Sequence, residues 1–134
     1  MESLVKNNEL GNFYKDRTVL LTGATGFKGS WMALWLYEMG ANVIDYSLAP
    51  LTDEDHYNLL DLESKITHIQ GDILDLNKLT DVFNKYNPEI VFHLAAQALV
   101  RLSYDNPKLT FDTNVAGSVN VLEAIRVSES VRSF

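Results

Sequence analysis

Apolar positions fall into four short strand-like runs, and longer stretches of helical period separate them. Residues 17–22 (RTVLLT), 41–46 (ANVIDY), 66–70 (ITHIQ) and 89–94 (EIVFHL) are brief and rich in aliphatic side chains, as strands covered on both faces are. No two-residue hairpin turn joins them, so successive strands connect through crossovers and run parallel. Residues 30–39 (SWMALWLYEM) are apolar on nearly every side and stop at Gly40, which predicts a helix enclosed between a sheet and its surroundings. Leu76, Leu79, Phe83 and Tyr86 recur at helical spacing, which predicts an amphipathic crossover over 75–86.

The last long element opens at Asn106-Pro107, an N-cap followed by proline at the first helical position. Phe111, Val115, Val119, Leu122 and Ile125 then form one stripe along a predicted long helix. Within it Ala116-Gly117-Ser118 offers a small-residue patch where another backbone can approach. Residues 131–134 (VRSF) read as the first positions of a fifth strand. The expected fold is therefore α/β: a Rossmann-like, doubly wound parallel sheet in the order 3-2-1-4, truncated where strand five begins. Residues 1–16 form a polar lead, and 17–134 form the partial domain.

The chemistry concentrates where the first strand ends. Gly23, Gly26 and Gly29 are spaced G-x-x-G-x-x-G between that strand and the first helix. The first glycine allows a tight bend, the second allows close approach of a ligand, and the third brings helix and strand together. The helix start aims N–H groups and a positive dipole end at the turn, which suits the diphosphate of NAD or NADP. A triphosphate-binding P-loop is excluded by order: Lys28 stands where its second glycine belongs.

Composition narrows the classes further. At 134 residues with 46% hydrophobic content, one domain with a real core is expected. A net charge of −7 argues against a nucleic-acid partner, because a phosphate backbone meets repulsion over most of the surface. With no cysteine and three scattered histidines, neither a disulfide framework nor a metal site is expected. No run approaches the roughly 18 apolar residues of a membrane span, and the N-terminus lacks a signal-peptide core. The expectation is a cytoplasmic protein without membrane contact.

With these positions placed, the chain from about 13 to 134 resembles the N-terminal part of the extended short-chain dehydrogenase/reductase family. TGATGFKG (22–29), GDI (71–73), HLAAQ (93–97) and the N-x-x-G of Asn114 and Gly117 carry the resemblance. GFKGSWMALWL, YSLAP and AAQALVRLSYDNP are similar to the subgroup of nucleotide-sugar 4,6-dehydratases acting on CDP-glucose. The resemblance implies that Gly23, Thr25, Gly26, Phe27, Lys28 and Gly29 hold the diphosphate. It places Asp72 and Ile73 at the adenine and Ala95, Ala96 and Gln97 on the nicotinamide side, with Asn114 beside them. Asp72 has a structural reading too, as the cap of the following turn, and the nearby His93 reads as a packed residue rather than a base.

Cofactor choice turns on the end of strand two, where an acid ordinarily holds the ribose hydroxyls. Counting from Gly40, that place falls on Ser47, while Asp45 lies two residues back on the same face. No arginine stands near to receive a 2′-phosphate, so NAD is favoured over NADP.

In the family, hydride passes from the sugar to NAD, and a tyrosine and a lysine four apart on one helix move the proton. Tyr104 and Lys108 match that spacing, but Pro107 between them starts a helix rather than continuing one. No catalytic residue is therefore assigned. Three readings follow: part of a nucleotide-sugar dehydratase or a related epimerase, a dinucleotide-binding module without catalysis, or a remnant that binds nothing well. A nucleotide sugar becomes a partner only if the missing part is supplied, and the helix from Asn106 can pair with a copy of itself, as it does in the family's dimers.

Overall fold

The computed structural model describes residues 9–134. Its sheet has four parallel strands in the order β3-β2-β1-β4, with β1 (Thr18–Thr22), β2 (Asn42–Ser47), β3 (Thr67–Gln70) and β4 (Ile90–His93). β1 lies centrally, with Leu20 opposite Ile44 on one side and Val91 on the other. Ser133 makes a single parallel bridge to Ile90, within the residues 131–134 that read as the start of a fifth strand.

Side chains alternate across the sheet and sort the core into two layers. Val19, Leu21 and Val43 face one layer, completed by Ala33 and Leu36 of α2 (Phe27–Glu38) and by Tyr57 of α3 (His56–Leu59). Leu20, Ile44, Tyr46 and Val91 face the other, against Leu79, Val82 and Phe83 of α4 (Leu76–Tyr86) and Val121 and Ala124 of the last helix. Each fully buried leucine contributes about 2 kcal/mol. α4 starts as its sequence demands, with Asp75 accepting from the Lys78 N–H at 3.0 Å.

Three features depart from expectation. Residues 9–14 of the polar lead form a helix, α1 (Glu9–Tyr14), and Arg17, just after the lead, donates to Glu89 at 2.9 Å. α2 begins at Phe27, three residues before the predicted start, because the glycine turn passes directly into helix. Its outer face is open rather than enclosed: Trp31, Trp35 and Tyr37 are all exposed.

The C-terminal helical region is not one straight helix. A short α5 (Val100–Asp105) precedes it and breaks at Asn106, whose side chain accepts from the Leu109 N–H at 3.1 Å to start α6 (Pro107–Phe111). A π-turn over Asp112–Ala116 then joins α6 to α7 (Gly117–Val127). Of the predicted stripe, Phe111, Val115, Val119 and Leu122 lie exposed, while Ile125 packs against the core beside the buried Gly117, Val121 and Ala124. Both faces are apolar, and the small-residue face wins the sheet because it permits the closer approach. At Gly117 the neighbour is the Ile73 side chain rather than another backbone: a Cβ there would sit 2.4 Å from Ile73 Cδ1. Among the described residues no helix is long and apolar enough to cross a membrane.

Candidate functional site

Every residue singled out by the glycine turn and the strand ends lies along the carboxyl edge of the sheet, where open α/β sheets bind ligands. Gly23 bends the chain with φ of +85° and touches the segment after β4: a Cβ there would sit 2.7 Å from the Ala95 nitrogen. Gly29 is closer still to its neighbours, since its Cβ would stand 1.9 Å from the Gly23 carbonyl oxygen. Gly26 is different. A Cβ there would meet only the Gly23 oxygen, at 3.3 Å, with no other atom within 4 Å.

The space beside Gly26 is thus open at the start of α2. Gly26 is the N-cap of α2, and no side chain caps the helix, so its first N–H groups keep the capacity to bind an anion. Phe27 and Lys28 are exposed on its first turn. The Ser30 hydroxyl donates to the Phe27 carbonyl at 2.8 Å and lies 2.7 Å from His56 Nδ1. Its hydrogen is thereby used, so His56 Nδ1–H is the donor to Ser30, and the imidazole packs 4.4 Å from the Trp31 ring.

Asp72 and Ile73 follow β3. The Asp72 carboxylate accepts from the Leu74 N–H at 2.9 Å, and its carbonyl accepts from the Tyr46 hydroxyl at 2.8 Å. Asp72 thus caps its own turn while remaining exposed. Burial, reinforced by Asp75 and Asp72, pushes the Tyr46 hydroxyl up to about 12, so it stays a donor. The Ile73 side chain is buried in the core, which leaves its main chain as the part that can meet a ligand.

Beyond β4, Asn114 holds the loop in place with both ends of its amide. Its Oδ1 accepts from the Gln97 N–H at 2.8 Å, and its Nδ2 donates to the Gln97 carbonyl at 3.0 Å. The π-turn carries Asn114 toward Gln97 while leaving Gly117 to pack on Ile73, and such turns often occur at functional sites. Ala95, Ala96 and Gln97 are in this way fixed beside the glycine turn.

His93 sits beneath them as a neutral bridge. Thr22 Oγ1 accepts from the N–H groups of Leu94 and Ala95 at 3.2 Å each and lies 2.7 Å from His93 Nδ1. Ser118 donates to the Asn114 carbonyl at 2.7 Å and lies 2.9 Å from His93 Nε2. Donor counting then makes Thr22 the donor to Nδ1 and Nε2–H the donor to Ser118. Burial lowers the imidazole pKa, in agreement with a packed role. Tyr104 and Lys108 are on separate helices, Tyr104 exposed and Lys108 paired with Asp112.

Sequence reasoning set Asp45 aside because it lies two residues short of the end of β2. It is fully buried and accepts from the Ala24 N–H at 3.1 Å, from the Ser47 hydroxyl at 2.7 Å and from His68 Nδ1 at 2.6 Å. The signal was an acid inside an otherwise apolar strand, since a buried carboxylate must find donors. Its partner on β3 is 23 positions away in sequence.

Residues 20–134 match the family described as GDP-mannose 4,6 dehydratase. The CDP-glucose 4,6-dehydratase of Salmonella typhimurium is 44% identical over 122 residues, covering 91% of this chain and 34% of that protein. Among solved structures, an epimerase from Methanothermobacter thermautotrophicus superposes with a TM-score of 0.77 at 36% identity, over 90% of this chain and 34% of that one. A UDP-glucose 4-epimerase from Brucella ovis in complex with NAD gives 0.72 at 30% identity, over 87% and 35%. The chain thus spans about a third of the length of these relatives.

Proposed function

Because the chain belongs to the GDP-mannose 4,6-dehydratase family, we propose that it forms the NAD-binding part of a nucleotide-sugar 4,6-dehydratase whose substrate is CDP-glucose. The observation that carries the reading is the start of α2, where the turn is open at Gly26 and no side chain caps the helix. A diphosphate there receives main-chain N–H groups and the positive end of a 12-residue helix. Thr25, Phe27 and Lys28 border that position, Asp72 and Ile73 lie toward the adenine, and Ser47 lies toward its ribose. Asn114 and the His93 bridge keep Ala95, Ala96 and Gln97 in place on the nicotinamide side.

When bound, NAD supplies the hydride acceptor for oxidation of the sugar. The chain's own residues bind and orient it, and proton transfer from the sugar needs groups other than Tyr104 and Lys108, which do not share a helix. The similarity to the Salmonella enzyme supports CDP-glucose as the sugar nucleotide. The reading puts the protein in the cytoplasm. The same reading includes a homodimer, in which the exposed stripe of Phe111, Val115, Val119 and Leu122 meets a second copy.

Calorimetric titration of the chain with NAD tests the central claim. One-to-one binding is expected, with quenching of Trp31 or Trp35 fluorescence because both rings are on the helix that begins at the turn. Absence of both heat and quenching would refute it.

A further inference from the structure

The dinucleotide reading leaves the usual ribose-holding acid unaccounted for, since Ser47 occupies its place at the end of β2. The buried charge beneath that place supplies the answer. Asp45 Oδ2 receives the Ser47 hydroxyl hydrogen at 2.7 Å, so the Ser47 oxygen has only lone pairs left to present. Its Oδ1 receives the Ala24 N–H from the glycine turn at 3.1 Å. His68 donates from β3 at 2.6 Å, so donors from the turn and from both strands converge on a carboxylate that no water reaches.

We propose that Asp45 selects NAD over NADP through Ser47, as a positioning residue one hydrogen bond removed from the adenine ribose. With its own proton committed, Ser47 can accept from a ribose 2′-hydroxyl but cannot donate to a 2′-phosphate. The carboxylate behind it is a fixed negative charge in a poorly solvated place, and it repels the dianion that NADP carries there. Through Ala24, the same carboxylate holds the diphosphate turn in register with the ribose position. Asp45 therefore does the work of an acid at the strand end from two residues back along the same face.

The inference rests on the reading that the turn binds a dinucleotide, and the experiment separates the two. NAD and NADP are titrated separately into the wild-type chain and into Ser47→Ala and Asp45→Asn. Wild type should prefer NAD by about tenfold or more, the scale of one hydrogen bond to a charge-assisted group. Ser47→Ala should weaken NAD by about that factor while leaving NADP unchanged. Asp45→Asn should bring the two affinities to within about threefold of each other, mainly because NADP gains. A merely structural loss weakens both cofactors alike and leaves the ratio where it was. If Asp45→Asn does not fold, Ser47→Ala decides alone. Variants that bind NAD with the wild-type ratio overturn the selector, and a wild-type chain that binds neither cofactor overturns the dinucleotide reading and the selector together.

Discussion

Adding one methyl group at Gly29 sets two opposed effects against each other, and the geometry fixes the sign of their sum. Gly29 lies inside α2, and alanine is the better helix former by about 1 kcal/mol. Were there open space around it, Gly29→Ala would stabilise the protein by up to that amount. The new Cβ would instead stand 1.9 Å from the Gly23 oxygen, 2.6 Å from the Gly23 carbon and 2.9 Å from the Ala24 Cα. All three are main-chain atoms of a turn held in place by Asp45 and by the segment after β4, so none can swing aside as a side-chain tip does. Overpacking of this kind costs about 3 kcal/mol at the upper end of its ordinary range. The net loss is about 2 kcal/mol, a fall in Tm of about 8 °C for a domain of this size. Thermal unfolding followed by circular dichroism reads it directly.

Gly26→Ala is the matched control, because its Cβ meets one atom at 3.3 Å and the backbone there has an ordinary φ of −79°. Stability should fall by about 1 kcal/mol or less, the usual cost of alanine at an N-cap. NAD affinity should fall by about tenfold or more, since the methyl group fills the space a phosphate needs. Gly29→Ala at or above wild-type stability would refute the packing argument. Gly26→Ala with undiminished affinity would refute the placement of the diphosphate.

His93 and the exposed stripe of the last helix each have a measurable consequence. Because burial holds the His93 pKa below its ordinary 6.5, the folded state binds fewer protons there than the unfolded state. That contribution is fully present above about pH 6.5 and fades as pH falls from there toward the folded value. Urea unfolding between about pH 8 and pH 5 should show the decline in wild type, and His93→Gln should flatten part of it; identical slopes would remove His93 from the account. For the dimer, sedimentation velocity should find a concentration-dependent dimer in wild type and a monomer in Leu122→Glu, because an unpaired carboxylate at an apolar contact is costly to bury. A wild-type chain that stays monomeric at every concentration refutes the pairing.

Local rules sufficed wherever the determinant was short-range. Aliphatic runs without hairpin turns specified a parallel sheet, and its order 3-2-1-4 came with the Rossmann pattern of the glycine turn, since right-handed crossovers alone also admit 2-1-3-4. Asn106-Pro107 marked a helix start because capping and the missing proline N–H act within one turn. For the same reason Tyr104 and Lys108 could be read as unpaired from sequence. Choices between equally apolar surfaces were not legible in this way. The stripe from Phe111 to Leu122 and the row of Gly117, Val121 and Ala124 both carry helical period, and only the fit of Gly117 against Ile73 decides which of them is buried. The π-turn that redirects Asn114 arises over residues with no unusual composition, so periodicity passes through it unmarked.

Asp45 marks the deeper limit. Counting along β2 places it two residues short of the ribose and thereby disqualifies it, since counting treats a side chain as acting only where it stands. In a buried site a charge acts through whatever it holds, and here it holds the hydroxyl that does reach the strand end. The donors that make the charge tolerable, His68 on β3 and Ala24 in the glycine turn, come together only once the sheet order is established. A burial penalty is thus answered by the same neighbours that set the ligand site, so the part of the site hardest to read in the chain is the part most tightly determined by the fold.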